Sequence, residues 1–189
     1  MDPGMEEAAT MDSEQSGSAR SKIAMLRGVR QVRQFSADPV PREVIDGILE
    51  VARWTGSGMN NQPWEFVLVR NQDTLRAIAE AEGAGSHLAG ANFAVIVVMP
   101  GTGQEIQTYD EGRLAERLLL AAEVQGVGAG IWWFKDGGAA AKRILGIPED
   151  RKVRTAVSYG YPRQDPAGAA EKRSGGRKPL AALVHEEHY

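Results

Sequence analysis

The chain has 189 residues, 42% hydrophobic and 25% charged, with a formal net charge of −3 at pH 7. That is enough chain for one domain with a substantial core, and the mildly acidic balance carries no electrostatic footprint for nucleic acid. There are no cysteines, which removes disulfides, thiolate nucleophiles, Cys-ligated zinc and iron–sulfur clusters together; no apolar run is long enough to span a bilayer.

Residues 1–19 are acidic, polar and aperiodic and lack the apolar stretch of a secretory signal. They predict a disordered tail ahead of a single domain over 20–189, in a cytoplasmic protein. A short helix is predicted over Ser21–Gly28, running into the basic stretch "RGVRQVRQF" (27–35). Pro41 suits a first helical position. Val44, Ile45, Ile48, Leu49 and Ala52 then follow at helical spacing to about Trp54. The connection "WTGSGMNNQPW" (54–64) is unusual because Asn60, Asn61 and Gln62 place three side-chain amides in a row before Pro63. "WEFVLVR" (64–70) has the β-branched and aromatic content of a strand.

Asp73 is placed to cap a helix carrying Leu75, Ile78 and Ala79. "NFAVIVVM" (92–99) is continuously apolar, as in a strand covered on both faces. After a loop over 101–107, Leu114, Leu118, Leu119, Ala122 and Val124 mark a long, centrally buried helix from about Tyr109 to Gln125. "GVGAGIWWF" (126–134) opens glycine-rich and ends as a strand; a helix over 138–145 stops at Gly146, and "VRTAVSYG" (153–160) alternates like a strand. The resulting class is α+β with four strands. The last stretch is polar until "LAALV" (180–184), so the apolar end of this arm must bury against something, and a partner subunit is the economical candidate.

Arg30 and Arg33 offer planar forks suited to phosphate, although the same stretch also reads as a solvated helix face. Gly126, Gly128 and Gly130 do not form a Rossmann loop, because they follow a helix and open a strand rather than the reverse. They suit either a close backbone approach to a ligand or a helix end with a tight turn. Trp132 and Trp133 are strand neighbours and must face opposite layers. His87, His185 and His188 read as surface histidines, and no metal set is apparent. With no G-x-S-x-G, P-loop or H-E-x-x-H present, the hard chemistry falls to a cofactor.

In this order, "RGVRQVRQF", "GSGMNNQPWEFVLV", "YDEGRLAERLLLAAEVQGVGAGIWWF", "LGIPEDRKVRTAVSYGYP" and "GRKPLAALV" resemble the FMN-dependent nitroreductase family over about residues 22–186. Asn60, Gln62, Pro63 and Trp64 match its N-x-Q-P-W element. The resemblance implies a mixed, mainly antiparallel sheet flanked by helices, a C-terminal arm exchanged between subunits, and a homodimer with FMN at its interface. It also implies an NAD(P)H-dependent two-electron oxidoreductase, working by a ping-pong mechanism on a small-molecule acceptor such as a nitroaromatic or quinone.

On that resemblance Arg30, Gln31 and Arg33 fall on the phosphate and flavin-edge segment, with Arg33 beside flavin N1 and O2. Ser57, Asn60 and Gln62 fall on the loop meeting the ring or ribityl chain, Gly128, Ile131 and Trp132 beside the ring, and Arg177 on a second phosphate contact. No protein group is implied as a catalytic acid or nucleophile. Gly56 replaces the family's usual proline, Gln31 its usual serine and Val29 its first arginine. The short stretch between Met99 and Tyr109 implies an open pocket. Related tasks stay open: a deazaflavin-dependent, flavin-fragmenting, dehalogenating or peptide-dehydrogenating enzyme, or a non-catalytic flavin-binding dimer.

Overall fold

A computed structural model describes residues 17–83, 85–163 and 176–189. Helix α1 (17–28) comes first. It is followed by α2 (Arg42–Arg53), β1 (Glu65–Val69), α3 (Gln72–Ala81), α4 (Gly85–Ala89), β2 (Phe93–Pro100), α5 (Glu105–Val124), β3 (Gly128–Trp133), α6 (Ala139–Leu145) and β4 (Arg151–Gly160), with 3-10 turns at Gly58–Asn60, Lys135–Gly138 and Leu180–Ala182. Residues 17–19 of the expected tail belong to α1, and the rest of that tail lies outside the described residues.

The strands form one sheet in the order β1-β2-β4-β3. All three pairings are antiparallel, in keeping with the expected mainly antiparallel sheet flanked by helices; no parallel pairing occurs among the described residues. Strand β2 sits in the middle, and its continuous apolar run is the consequence. Phe93, Val95, Val97 and Met99 face the layer of α2 and α5, where Ile45, Ile48, Leu114 and Leu118 complete the core. Ala94, Ile96 and Val98 face the opposite layer, packing with Leu75, Ile78 and Leu88 of α3 and α4 and with Ala141 of α6. A strand buried on both faces loses the alternation that a one-sided strand shows.

Two local expectations differ from the structure, and one short helix was not expected. Helix α3 is capped by Asn71, whose side chain accepts from Thr74 N at 2.9 Å, while Asp73 lies in the first turn and pairs with Arg76. Helix α4 has five residues, too few to show a period in the sequence. Helix α5 begins at Glu105, four residues before the expected start, and buries Asp110 and Glu111. Glu111 is 3% exposed because Arg154 Nε and Thr155 Oγ1 of β4 donate to it at 3.1 and 2.7 Å. The helix is therefore tied to the sheet by paired polar groups as well as by leucines.

Both ends of the described chain stand away from this core. Ile23 and Leu26 of α1 are more than half exposed. All of 176–189 is exposed, including Leu180, Leu183 and Val184 of the apolar arm. Residues 164–175 of that arm lie outside the described residues.

Candidate functional site

The amide loop runs from the end of α2 to the start of β1. Ser57 organises it: its Oγ accepts from Gln62 N at 2.9 Å, and its carbonyl accepts from Asn60 N at 3.1 Å. Asn61 N donates to Gly58 O at 3.1 Å. This tight wrapping puts Met59, Asn60 and Gln62 at φ of 51°, 55° and 46°. Left-handed backbone costs a non-glycine residue about 1–3 kcal/mol, least for asparagine. Gln62 also precedes Pro63, which disfavours the right-handed helical region there. Gly58 N donates to Asp110 Oδ2 of α5 at 3.1 Å. The loop thus presents its carboxamides outward: Asn60, Asn61 and Gln62 are exposed, and Gln62 Nε2 alone of these side-chain groups is engaged, on Asn60 O at 3.2 Å.

The second group lies along β3. Val32 N donates to Ala129 O at 2.8 Å, so the segment after α1 runs as an extra edge on this strand. Gln31 Oε1 accepts from Ile131 N at 3.2 Å and from Arg33 Nη2 at 2.9 Å. Arg30 Nη1 donates to Arg27 O and Val29 O at 2.8 and 2.7 Å, capping carbonyls at the end of α1. Neither Arg30 nor Arg33 has a carboxylate partner among the described residues, and each keeps further N–H donors free.

The glycines of 126–130 now have a physical reason. A Cβ on Gly128 would lie 2.8 Å from the Val32 side chain, and one on Gly130 would lie 2.6 Å from Val32 O. Their missing side chains let the 31–33 segment lie flat on the strand. Ile131 packs toward the α2/α5 layer and Trp132 toward the α3/α4 layer, so their side chains do not converge on one cavity. Trp133 is exposed, with the Arg154 guanidinium 5.7 Å from its ring centre.

His87 corrects an expectation: it is 7% exposed, unlike His185 and His188. Its Nδ1 is 2.9 Å from Ser158 Oγ, which itself lies 3.1 Å from the Gly130 carbonyl oxygen. A carbonyl only accepts, so the single Ser158 proton goes to Gly130 O, and His87 Nδ1–H donates to Ser158. The imidazole is held neutral: burial first, and the nearby Arg33 charge second, lower its pKa.

One chain does not bring the two groups together. Ser57, Asn60 and Gln62 precede β1 at one edge of the sheet. Arg30, Gln31 and Arg33 lie on β3 at the other, three strand spacings or about 14 Å across. Arg177 is exposed on the terminal segment. A cavity of about 230 Å³ between Pro39, Val40, Arg70, Asn92 and Phe93 contains none of these residues. Among the described residues no group of His, Asp and Glu side chains is arranged to hold a metal ion. The burial of Asp110, Glu111 and His87 was not legible in the sequence, because Gly58, Arg154, Thr155 and Ser158 are distant from them along the chain.

Residues 26–98, which hold both the arginine segment and the amide loop, match the model of the Nitroreductase family. A candidate NADH dehydrogenase/NAD(P)H nitroreductase of Methanothermobacter thermautotrophicus is 30% identical over 155 residues, covering 77% of this chain and 81% of the relative. The iodotyrosine deiodinase of Nematostella vectensis is 25% identical over 190 residues, covering 82% and 70%. Among solved structures, a candidate nitroreductase in complex with FMN from Desulfovibrio desulfuricans superposes with a TM-score of 0.74 at 27% identity, covering 88% of this chain and 96% of that one. The chain belongs to the nitroreductase family.

Proposed function

We propose that this protein is an FMN-dependent oxidoreductase that uses NAD(P)H to reduce small nitroaromatic or quinone-like acceptors two electrons at a time. The observation that carries the reading is the pair of complementary donor sets at opposite sheet edges. One is a strained loop displaying exposed carboxamides; the other is a strand-edge segment displaying guanidinium groups with no carboxylate partner among the described residues. Side-chain amides offer both donors and acceptors, the pattern found on the polar rim of a flat heterocycle, and guanidinium forks suit a phosphate or a ring that gains negative charge. The residues present therefore fit FMN. The FMN-bound relative and the NAD(P)H nitroreductase relative support the same cofactor pair.

Bound FMN supplies the electron transfer between the nicotinamide and the acceptor, each using the one site in turn. The chain's own part is position and electrostatics. Arg33 would stand at the pyrimidine edge of a bound ring, where its positive charge would favour the reduced form. Gln31 holds Arg33 through Nη2 and is itself fixed by Ile131 N. Asn60 and Gln62 would read the ring or ribityl chain, and Arg30 and Arg177 would hold the phosphate.

Because the donor sets lie on opposite edges of one sheet, a homodimer completes each site, with the loop of one subunit meeting the arginine segment of its partner. The exposed apolar residues of α1 and of 180–184 supply surface for that association. Reconstitution with FMN followed by NAD(P)H oxidation with a nitroaromatic or quinone tests the reading. A yellow dimer that turns over supports it; a chain that binds no FMN refutes it. Reductive dehalogenation is a second reading, favoured by the deiodinase relative, and is distinguished by halide release from an iodinated phenol.

A further inference from the structure

Asp110 serves no role in the chemistry just described, yet it is 2% exposed. A buried carboxylate needs a reason. Asp110 is the sixth residue of α5 (Glu105–Val124), beyond the first turn where a negative charge complements the helix N-terminus. Its ion pair with Arg113 is long, at 3.5 Å, and Arg113 is 45% exposed, so that pairing is weak. The remaining partner is Gly58 N, which donates to Oδ2 at 3.1 Å.

That bond is the one described hydrogen bond from the 57–62 loop to another element; the loop's other bonds stay within it. The same helix face closes around the stretch just before the strained residues. A Cβ on Gly56 would meet Arg113 Nη2 at 2.8 Å, and one on Gly58 would meet Ile106 Cγ1 at 2.9 Å. Residues 56–58 are thus gripped between Ile106, Asp110 and Arg113, neighbours on one face of α5, immediately before the left-handed Met59 and Asn60. Position 56 is glycine, which stiffens nothing by itself. Rigidity must come from outside the loop.

We infer that Asp110 is the positioning residue of the amide loop: its carboxylate pins Gly58 N–H to α5 and so holds Asn60 and Gln62 in the orientation that reads the ring. This rests on the proposed FMN site, but the anchor is measurable without it. Amide hydrogen exchange at Gly58–Gln62, measured on the full chain, is compared for wild type, Asp110→Ala, Asp110→Asn and Arg113→Ala, with FMN affinity measured by fluorescence quenching. Loss of one charge-assisted hydrogen bond corresponds to about tenfold or more. Asp110→Ala is expected to raise Gly58 exchange and the FMN Kd by that factor.

Asp110→Asn keeps a neutral acceptor and is expected to restore most of both. Arg113→Ala removes the weak pair and the guanidinium packed beside Gly56 but keeps the Asp110–Gly58 bond, and is expected to change each less than threefold. Wild-type exchange at Gly58 in Asp110→Ala overturns the inference, as does a wild-type Kd beside raised exchange. Where Asp110→Ala is not recovered folded, Asp110→Asn decides: its weaker acceptor raises Gly58 exchange about threefold, and unchanged exchange overturns the anchor. A wild-type chain that binds no FMN sinks the site reading instead, and the exchange measurement then stands alone.

Discussion

Replacing Gly130 with alanine tests why the glycine-rich strand start exists. The added methyl carbon would sit 2.6 Å from the Val32 carbonyl oxygen and 3.3 Å from both Arg33 Cγ and Ser158 Oγ. The closest contact is backbone, which cannot swing aside as a side chain can. The available relief is to lift 31–33 off β3, breaking Val32 N–H to Ala129 O (2.8 Å) and Ile131 N–H to Gln31 Oε1 (3.2 Å). Two net hydrogen bonds contribute about 1 kcal/mol each, and residual overpacking costs about 1–3 kcal/mol where relaxation is incomplete. The expected loss is about 2–5 kcal/mol, or a fall in Tm of about 4–20 °C for a chain of this size. Urea and thermal unfolding at fixed protomer concentration measure it, since association itself stabilises. Gly112→Ala is the control: a methyl there meets nothing within 4 Å in the chain, in the interior of α5. It should stabilise by up to about 1 kcal/mol. If Gly130→Ala unfolds within about 0.5 kcal/mol of wild type, the close-approach argument is wrong.

Arg33→Ala is expected to lower the midpoint potential of bound flavin, because it removes the cation proposed beside the reduced ring; an unchanged potential measured by spectroelectrochemistry removes Arg33 from that edge. His87 gives a pH signature. Its folded pKa lies below the ordinary 6.5 through burial and then Arg33, so as pH falls the unfolded chain takes up this proton first. The histidine's contribution is present above about pH 6.5 and is lost as pH drops from there toward the folded value. Unfolding free energies at pH 5 to 8 should show this slope in wild type and not in His87→Gln, and equal slopes would refute it. Truncation after Arg163 removes the exposed apolar segment 180–184; light scattering should report monomer or insoluble protein, and a stable yellow dimer would refute the arm's role.

The sequence made the regular elements legible where one periodicity dominated. The apolar positions of α2 at helical spacing and the unbroken run of β2 each have a single explanation, and both elements form where expected within a residue or two. The cap of α3 went to Asn71 rather than Asp73 because both residues are competent caps two positions apart, and the choice depends on where β1 releases the chain. The burial of Asp110 and Glu111 in α5 was hidden for a different reason: it depends on Gly58, Arg154 and Thr155, which the sequence does not place beside them. His87 was misread as a surface residue on the same grounds, since Ser158 is 71 residues away.

The candidate site was legible as composition and not as geometry. Three consecutive carboxamides and two nearby arginines suit the polar, anionic, planar ligand proposed, but sequence order does not say at which edge of the sheet each group will lie. The strand order β1-β2-β4-β3 settles that, because β1 and β3 are the two outer strands. A loop entering β1 and a segment lying on β3 then diverge across the sheet. The glycines, which suit either a close backbone approach to a ligand or a helix end with a tight turn, seat Val32, which carries Arg33 to the β3 edge. The same packing that fixes the guanidinium groups therefore separates them from the carboxamides within one chain. In the dimer proposed above, a second copy would supply a loop at that edge, both edges then lying within one self-complementary two-fold interface. The strain stored in the loop is useful under that arrangement: an amide rim already held in shape pays its ordering cost during folding rather than when the ligand arrives.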